Sequence, residues 1–244
     1  MTSGTRGPTI PPGTGTEIAA SAATLAYNVV INQATTSGTG YVTANACAAT
    51  VSVVAARHRG VSWARMGMVP GRLGRGIRVG LATALPIASV IGLGVAVPAT
   101  RRFFQDERAV EGDMRHVLFE TLVRIPLGTA LAEEVIFRGT LLGLFTRRHS
   151  PAVAASMSSV LFGAWHVLPT VHTLPGSPAA AHVQGDPKRM AGLVLANVTA
   201  TTVAGYGLAW LRFRSGSLAA PAVAHASLNG IAYLAARLAV YGAA

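Results

Sequence analysis

The chain is short of what a water-facing surface is made of. Charged residues are 12% of its 244 positions, about half the share found in soluble domains. There are nine acids, and Lys188 is the single lysine among 20 basic residues. With 51% hydrophobic residues and a mean hydropathy of +0.46, this scarcity excludes an ordinary soluble globule. The apolar content equally excludes a disordered chain. One cysteine, Cys47, excludes an internal disulfide framework and any multi-cysteine metal site; it is expected to pack as a small apolar residue. The Thr/Gly/Pro-rich residues 1–16 lack the basic and apolar regions of a secretory signal, so no cleavage is expected. They read as a flexible tail before a single domain spanning 17–244.

Long apolar runs are abundant. Candidate membrane crossings fall at 18–34, 41–56, 79–100, 117–145, 151–170, 190–211 and 217–236, the first two divided by the turn-like TTSGTGY at 35–41. Backbone in lipid must satisfy its own hydrogen bonds, and no alternating barrel strands appear, so these runs are expected to be helices. The expected fold is therefore all-α: a multi-pass transmembrane bundle of about seven helices with a polar intramembrane cavity.

The net charge of +11 is carried in short arginine clusters between apolar runs, which argues against nucleic-acid binding and for cytoplasmic loops. The stretch 57–78 holds Arg57, Arg59, Arg65, Arg72, Arg75 and Arg78 and no acid. Arg147 with Arg148, and Arg212 with Arg214, follow at alternate loops, while 101–116 mixes both signs. This alternation predicts a cell-membrane protein with a cytoplasmic N-terminus. Gly71-Arg72-Leu73-Gly74-Arg75-Gly76 mimics a phosphate loop but follows no strand, so its arginines are assigned to the anionic inner membrane surface.

Two of the nine acids, Glu133 and Glu134, are adjacent inside an apolar run. Ionised carboxylates in such a place are functional candidates by default. Glu134 and Arg138 are four apart with Glu first, the spacing of a helical ion pair. Glu133, five before Arg138, is left for chemistry. His166 and His225 lie in uncharged spans, and Asn229 follows His225 by four, on one helical face. At a rise of about 1.5 Å per residue, Glu133 and His166 come about 20 and 22 Å in from the basic loop, and His225 and Asn229 about 12 and 18 Å. Three helices thus bring these groups to similar depth. Two chemistries fit. Either Glu133, His166 and His225 bind a divalent metal such as zinc that acidifies water, or Glu133 and His166 activate water directly. In the second version His225 and Asn229 stabilise the oxyanion. Both point to hydrolysis, most plainly of a peptide bond.

Glu133-Glu134-Val135-Ile136-Phe137-Arg138, Phe162-Gly163-Ala164-Trp165-His166 and His225-Ala226-Ser227-Leu228-Asn229 match EExxxR, FxxxH and HxxxN. On these motifs, within the core 117–236, the chain resembles the CPBP intramembrane proteases, the CAAX-protease and bacteriocin-processing (Abi) family. Flanking residues match too, among them Trp165-His166-Val167-Leu168-Pro169, and Gly60–Gly67 resembles the family's amphipathic element. The resemblance implies an intramembrane endopeptidase, of metalloprotease or glutamate type, acting on a membrane-associated protein or peptide. Glu133 would be its catalytic carboxylate and His166 the partner in activating water. His225 and Asn229 would line the oxyanion site or complete a metal site, and Glu134 and Arg138 would hold the constellation together. A non-catalytic scaffold or immunity-type binding protein is the alternative. A proton-coupled transporter ranks last, for want of an internal repeat. Trp63, Trp165, Tyr206 and Trp210 read as interfacial or packing aromatics, and Gly205 and Gly207 as sites of close helix packing. His172 and His182 read as solvated loop residues.

Overall fold

A computed structural model describes residues 13–34, 37–106, 111–174, 177, 180, 183 and 185–241. It is helical, with no strand among the described residues. Helices α1 (Thr14–Ala34) and α2 (Gly38–His58) are followed by the short α3 (Trp63–Met66) and by α4 (Leu73–Ala96). A continuous helix, α5, runs over 114–145; then come α6 (Pro151–Trp165), α7 (Val167–Thr173), α8 (Pro187–Ser215) and α9 (Ala219–Tyr241). Counting α6 and α7 as one broken rod, seven long helical segments stand among the described residues, where seven were expected. Among the described residues, four segments are long and apolar enough to cross a membrane: Gly38–His58, Trp63–Ala96, Pro151–Thr173 and Pro187–Ser215. The first helix begins at Thr14, two residues before the expected end of the tail; residues 1–12 and His182 lie outside the described residues.

The helix starts follow from side chains that satisfy the first free N–H groups. Ser37 accepts from Gly40, Asp113 from His116, Ser150 from Val153, and Asp186 from Lys188 and Arg189. The outer surface is apolar, with Leu85, Val90 and Leu238 each about two-thirds exposed or more. Such a surface suits hydrocarbon rather than water. Inside, Ile136, Phe137, Leu141, Leu142 and Phe145 of α5 pack on Phe162 and Trp165 of α6. α5 is the central rod.

The basic loops gather at one end of the bundle. Arg65 donates to the Thr146 carbonyl and Arg75 to that of Arg214, while Arg147 donates to that of Arg59. Buried Arg212 donates to the carbonyls of Ala64 and Arg65, finishing α3. It fits there because Gly67, at φ 75°, has no side chain: a Cβ would meet the guanidinium at 2.1 Å. The start of α1 joins this end through Glu17, whose carboxylate lies 3.1 Å from His149.

Three expectations change. Cys47 is exposed on α2 rather than packed. In a membrane-spanning bundle lipid is as apolar as the core, so a small apolar side chain is not driven inward. Gly207 faces open space and makes no close contact, whereas Gly163 and Gly205 do the packing: Cβ atoms would meet Thr202 and Ser159 at 1.9 and 3.1 Å. His172 is indeed exposed, but it sits in α7 rather than in a loop.

Candidate active site

Glu133 and Glu134 lie at 132–134, a short α-helical turn between two π-helical stretches of α5, Glu120–Leu131 and Val135–Leu141. Bonding from i to i+5 widens each turn and is frequent at functional sites. Pro126, which has no N–H to give, sits inside the first stretch. Arg138 pairs with Glu134, as the four-residue spacing predicts, and not with Glu133.

Glu134 is fully buried, and its Oε1 accepts from Arg138 Nη1 at 2.8 Å and contacts His225 Nδ1 at 2.9 Å. Arg138 is also fully buried, its guanidinium 4.0 Å from the centre of the Phe162 ring. A buried ion is tolerated when paired in this manner, and removing one partner costs about 3–5 kcal/mol. Gly205 of α8 makes room for the group, since a Cβ there would lie 3.1 Å from Arg138 Nη2.

Glu133 is held differently. Its Oε1 accepts the Trp165 indole N–H at 3.2 Å. Its Oε2 has no hydrogen-bond partner and lies 3.9 Å from His225 Nε2. Each acid thus keeps an Oε2 without a hydrogen bond; what differs is Oε1, bound by Arg138 in Glu134 and by a neutral indole N–H in Glu133.

His166 owes its position to Pro169, whose ring and missing N–H are incompatible with an unbroken helix four residues after Trp165. The rod breaks at His166, the backbone N–H of which bonds to the Gly163 carbonyl at 3.0 Å instead of reaching Phe162. The Phe162 carbonyl then takes the imidazole Nδ1 at 2.7 Å. A carbonyl only accepts, so Nδ1 carries the proton and Nε2 is left as an acceptor. Phe162 is the hub: its ring lies 4.5 Å from His166 and 5.8 Å from His225, edge-on to both. Asn229, half-buried on α9, makes no hydrogen bond among the described residues.

The structure therefore joins Glu133, Glu134, Arg138 and His225 directly and brings His166 alongside through Phe162. The hydrogen bond of His225 goes to Glu134, not to Glu133. Among the described residues, no group of three or more His, Cys, Asp or Glu side chains is placed to hold a metal ion. Glu133, His166 and His225 as they stand do not fit a resident metal. Sequence reasoning passed over Trp165 as a packing aromatic. It also gave no role to Tyr27, whose ring packs 6.1 Å from Trp165 and whose hydroxyl donates to Asn45 at 2.9 Å. For Trp165 the signal was its place beside His166; for Tyr27 there was none.

Fold and site together define a class: a multi-pass helical membrane bundle with an acid–histidine constellation inside its apolar core. Residues 116–231 match the family model described as type II CAAX prenyl endopeptidase Rce1-like. That segment contains all three motifs and bears out the resemblance to the CPBP intramembrane proteases, a family of membrane-embedded proteases. No curated protein and no solved structure matches significantly.

Proposed function

We propose that the protein is an intramembrane endopeptidase that cleaves a membrane-associated protein or peptide by water activated at Glu133. The observation that carries this reading is the unequal treatment of the two acids. Glu134 is fully buried with its Oε1 bound by Arg138 and His225, whereas Glu133 has only the neutral Trp165 N–H and is the less enclosed of the two.

A water at Glu133 Oε2 gives up a proton to the carboxylate while its oxygen attacks the scissile carbonyl carbon. His166 Nε2, fixed as an acceptor, orients that water through its second hydrogen. The carbonyl π electrons move to oxygen, and the resulting oxyanion is met by His225 Nε2–H and the Asn229 carboxamide. When the C–N bond breaks, Glu133 returns its proton to the leaving amine, so acid and base are one group used twice. Such transfer contributes about 10²–10⁴-fold, and a preorganised oxyanion donor about 10²–10³-fold. As a donor at Nε2, His225 is protonated on both nitrogens, with Nδ1–H on Glu134. The four buried groups then sum to zero charge, the condition under which they are least costly to bury. The basic end of the bundle is assigned to the cytoplasmic side of the cell membrane, with the N-terminus there too.

The test is cleavage of a cognate membrane-anchored substrate by purified Glu133→Ala, His166→Ala and His225→Ala. Loss in each is expected, and wild-type turnover in all three would refute the reading. A folded Glu133 variant with full biological activity would favour the non-catalytic scaffold. Activity is expected to survive chelation; loss restored by zinc would contradict the metal-free step.

A further inference from the structure

Helices α1 and α2 do not close on each other along their length. Between them, floored by α5, runs a groove of about 520 Å³. Its walls include Ala23 of α1, Cys47, Ala48 and Val51 of α2, and Ile136 and Leu144 of α5. It extends from Thr16 to Tyr27, about 17 Å at the helical rise of ~1.5 Å per residue. Open along one side and lined mainly by apolar side chains, the groove admits an extended hydrocarbon chain.

The two ends differ. The inner end is blocked by Tyr27, fixed to Asn45. The open end is basic: Arg59 lines it, Arg147 donates to the Arg59 carbonyl, and Arg148 Nη1 donates to Thr14 at 3.1 Å. Glu17, the acid next to Thr16, is 4% exposed with its Oε2 3.1 Å from His149, and the arginines outnumber it at this end.

We propose that this groove is a binding site for an anionic phospholipid, one acyl chain lying between α1 and α2 and the phosphate meeting Arg59, with Arg147 and Arg148 beside it. The site is separate from Glu133 and does not depend on the proteolytic reading. It bears on the acid all the same. The chain ends against Tyr27, which packs on the ring that holds Glu133. A bound lipid thus seats α1 over the site.

The test is native mass spectrometry of the full chain released from bilayers of equal phosphatidylglycerol and phosphatidylcholine. One phosphatidylglycerol per chain should persist through stepwise delipidation. Ala23→Phe, at an exposed position whose new ring fills the groove, should lower retention at least tenfold. Arg59→Gln should lower the preference for phosphatidylglycerol about fivefold. The native Cys47 gives a readout that needs no variant: phosphatidylglycerol should slow its alkylation by N-ethylmaleimide in detergent, and phosphatidylcholine should not. Equal retention by wild type and Ala23→Phe, or an unprotected Cys47, overturns the proposal. So does equal retention of the two lipids. An isoprenoid alcohol that protects Cys47 and displaces phosphatidylglycerol one for one would assign the groove to a substrate chain instead, and also overturns it.

Discussion

The segment from α5 to α9 and the pair α1–α2 are built on opposite plans. The first keeps its charge inside: Glu134, Arg138 and His225 are each 5% exposed or less and bonded to one another. The second puts small apolar residues against a groove and holds its polar groups, Tyr27 with Asn45 and Glu17 with His149, at the groove's two ends. The match to known proteases, 116–231, falls wholly within the first plan. Glu133 nevertheless leans on the second, because Trp165 orients it and Tyr27 backs Trp165. The matched segment thus carries the acid–histidine cluster, while helices outside it help set the orientation of Glu133.

Substitutions that separate the two plans should differ in size. Within the first, Arg138→Met leaves Glu134 charged in the core and should destabilise the fold by about 3–5 kcal/mol, read as a lower denaturant midpoint. Glu134→Gln with Arg138→Met should recover part of that loss, since no lone charge remains. At the junction, Trp165→Phe keeps the packing and removes the N–H. A hydrogen bond to a charged group contributes about 1.5–3 kcal/mol, so kcat should fall at least tenfold with KM little changed. A parallel rise in KM would mean that Trp165 shapes the substrate site instead. Tyr27→Ala should give a smaller fall in kcat and Tyr27→Phe almost none. Equal effects of the two would break the link between α1 and the acid.

The gross fold was legible because apolar run length and arginine placement are one-dimensional signals: each of the seven expected spans overlaps a helical segment, and the basic loops share one end. The Glu134–Arg138 pair was legible for the same reason, being local. What escaped detection depends on chain winding or on distant partners. The π-helical turns of α5 leave no periodic mark in the sequence. The span 151–170 reads as unbroken although Pro169 carries the signal for a break at His166, and the consequence, a carbonyl freed to fix the imidazole, appears only in three dimensions. Glu17 and His149 are 132 residues apart, and no pattern joins them. The roles of His166 and Asn229 rest on position, since neither contacts Glu133.

Glycines give the finest comparison. Gly163→Ala drives a Cβ into Thr202 and should destabilise the bundle, whereas Gly207→Ala meets nothing and should add up to about 1 kcal/mol of helix stability. Thermal midpoints of the two variants should move in opposite directions.

The most direct measurement is the turnover of purified Glu133→Gln, which keeps size, burial and the Trp165 contact but cannot take a proton, alongside Glu134→Gln. With both variants shown to be folded, Glu133→Gln should lose about 10³-fold in kcat while retaining substrate binding. Wild-type turnover in Glu133→Gln, with activity lost only in Glu134→Gln, would contradict the account by making the paired acid the working one.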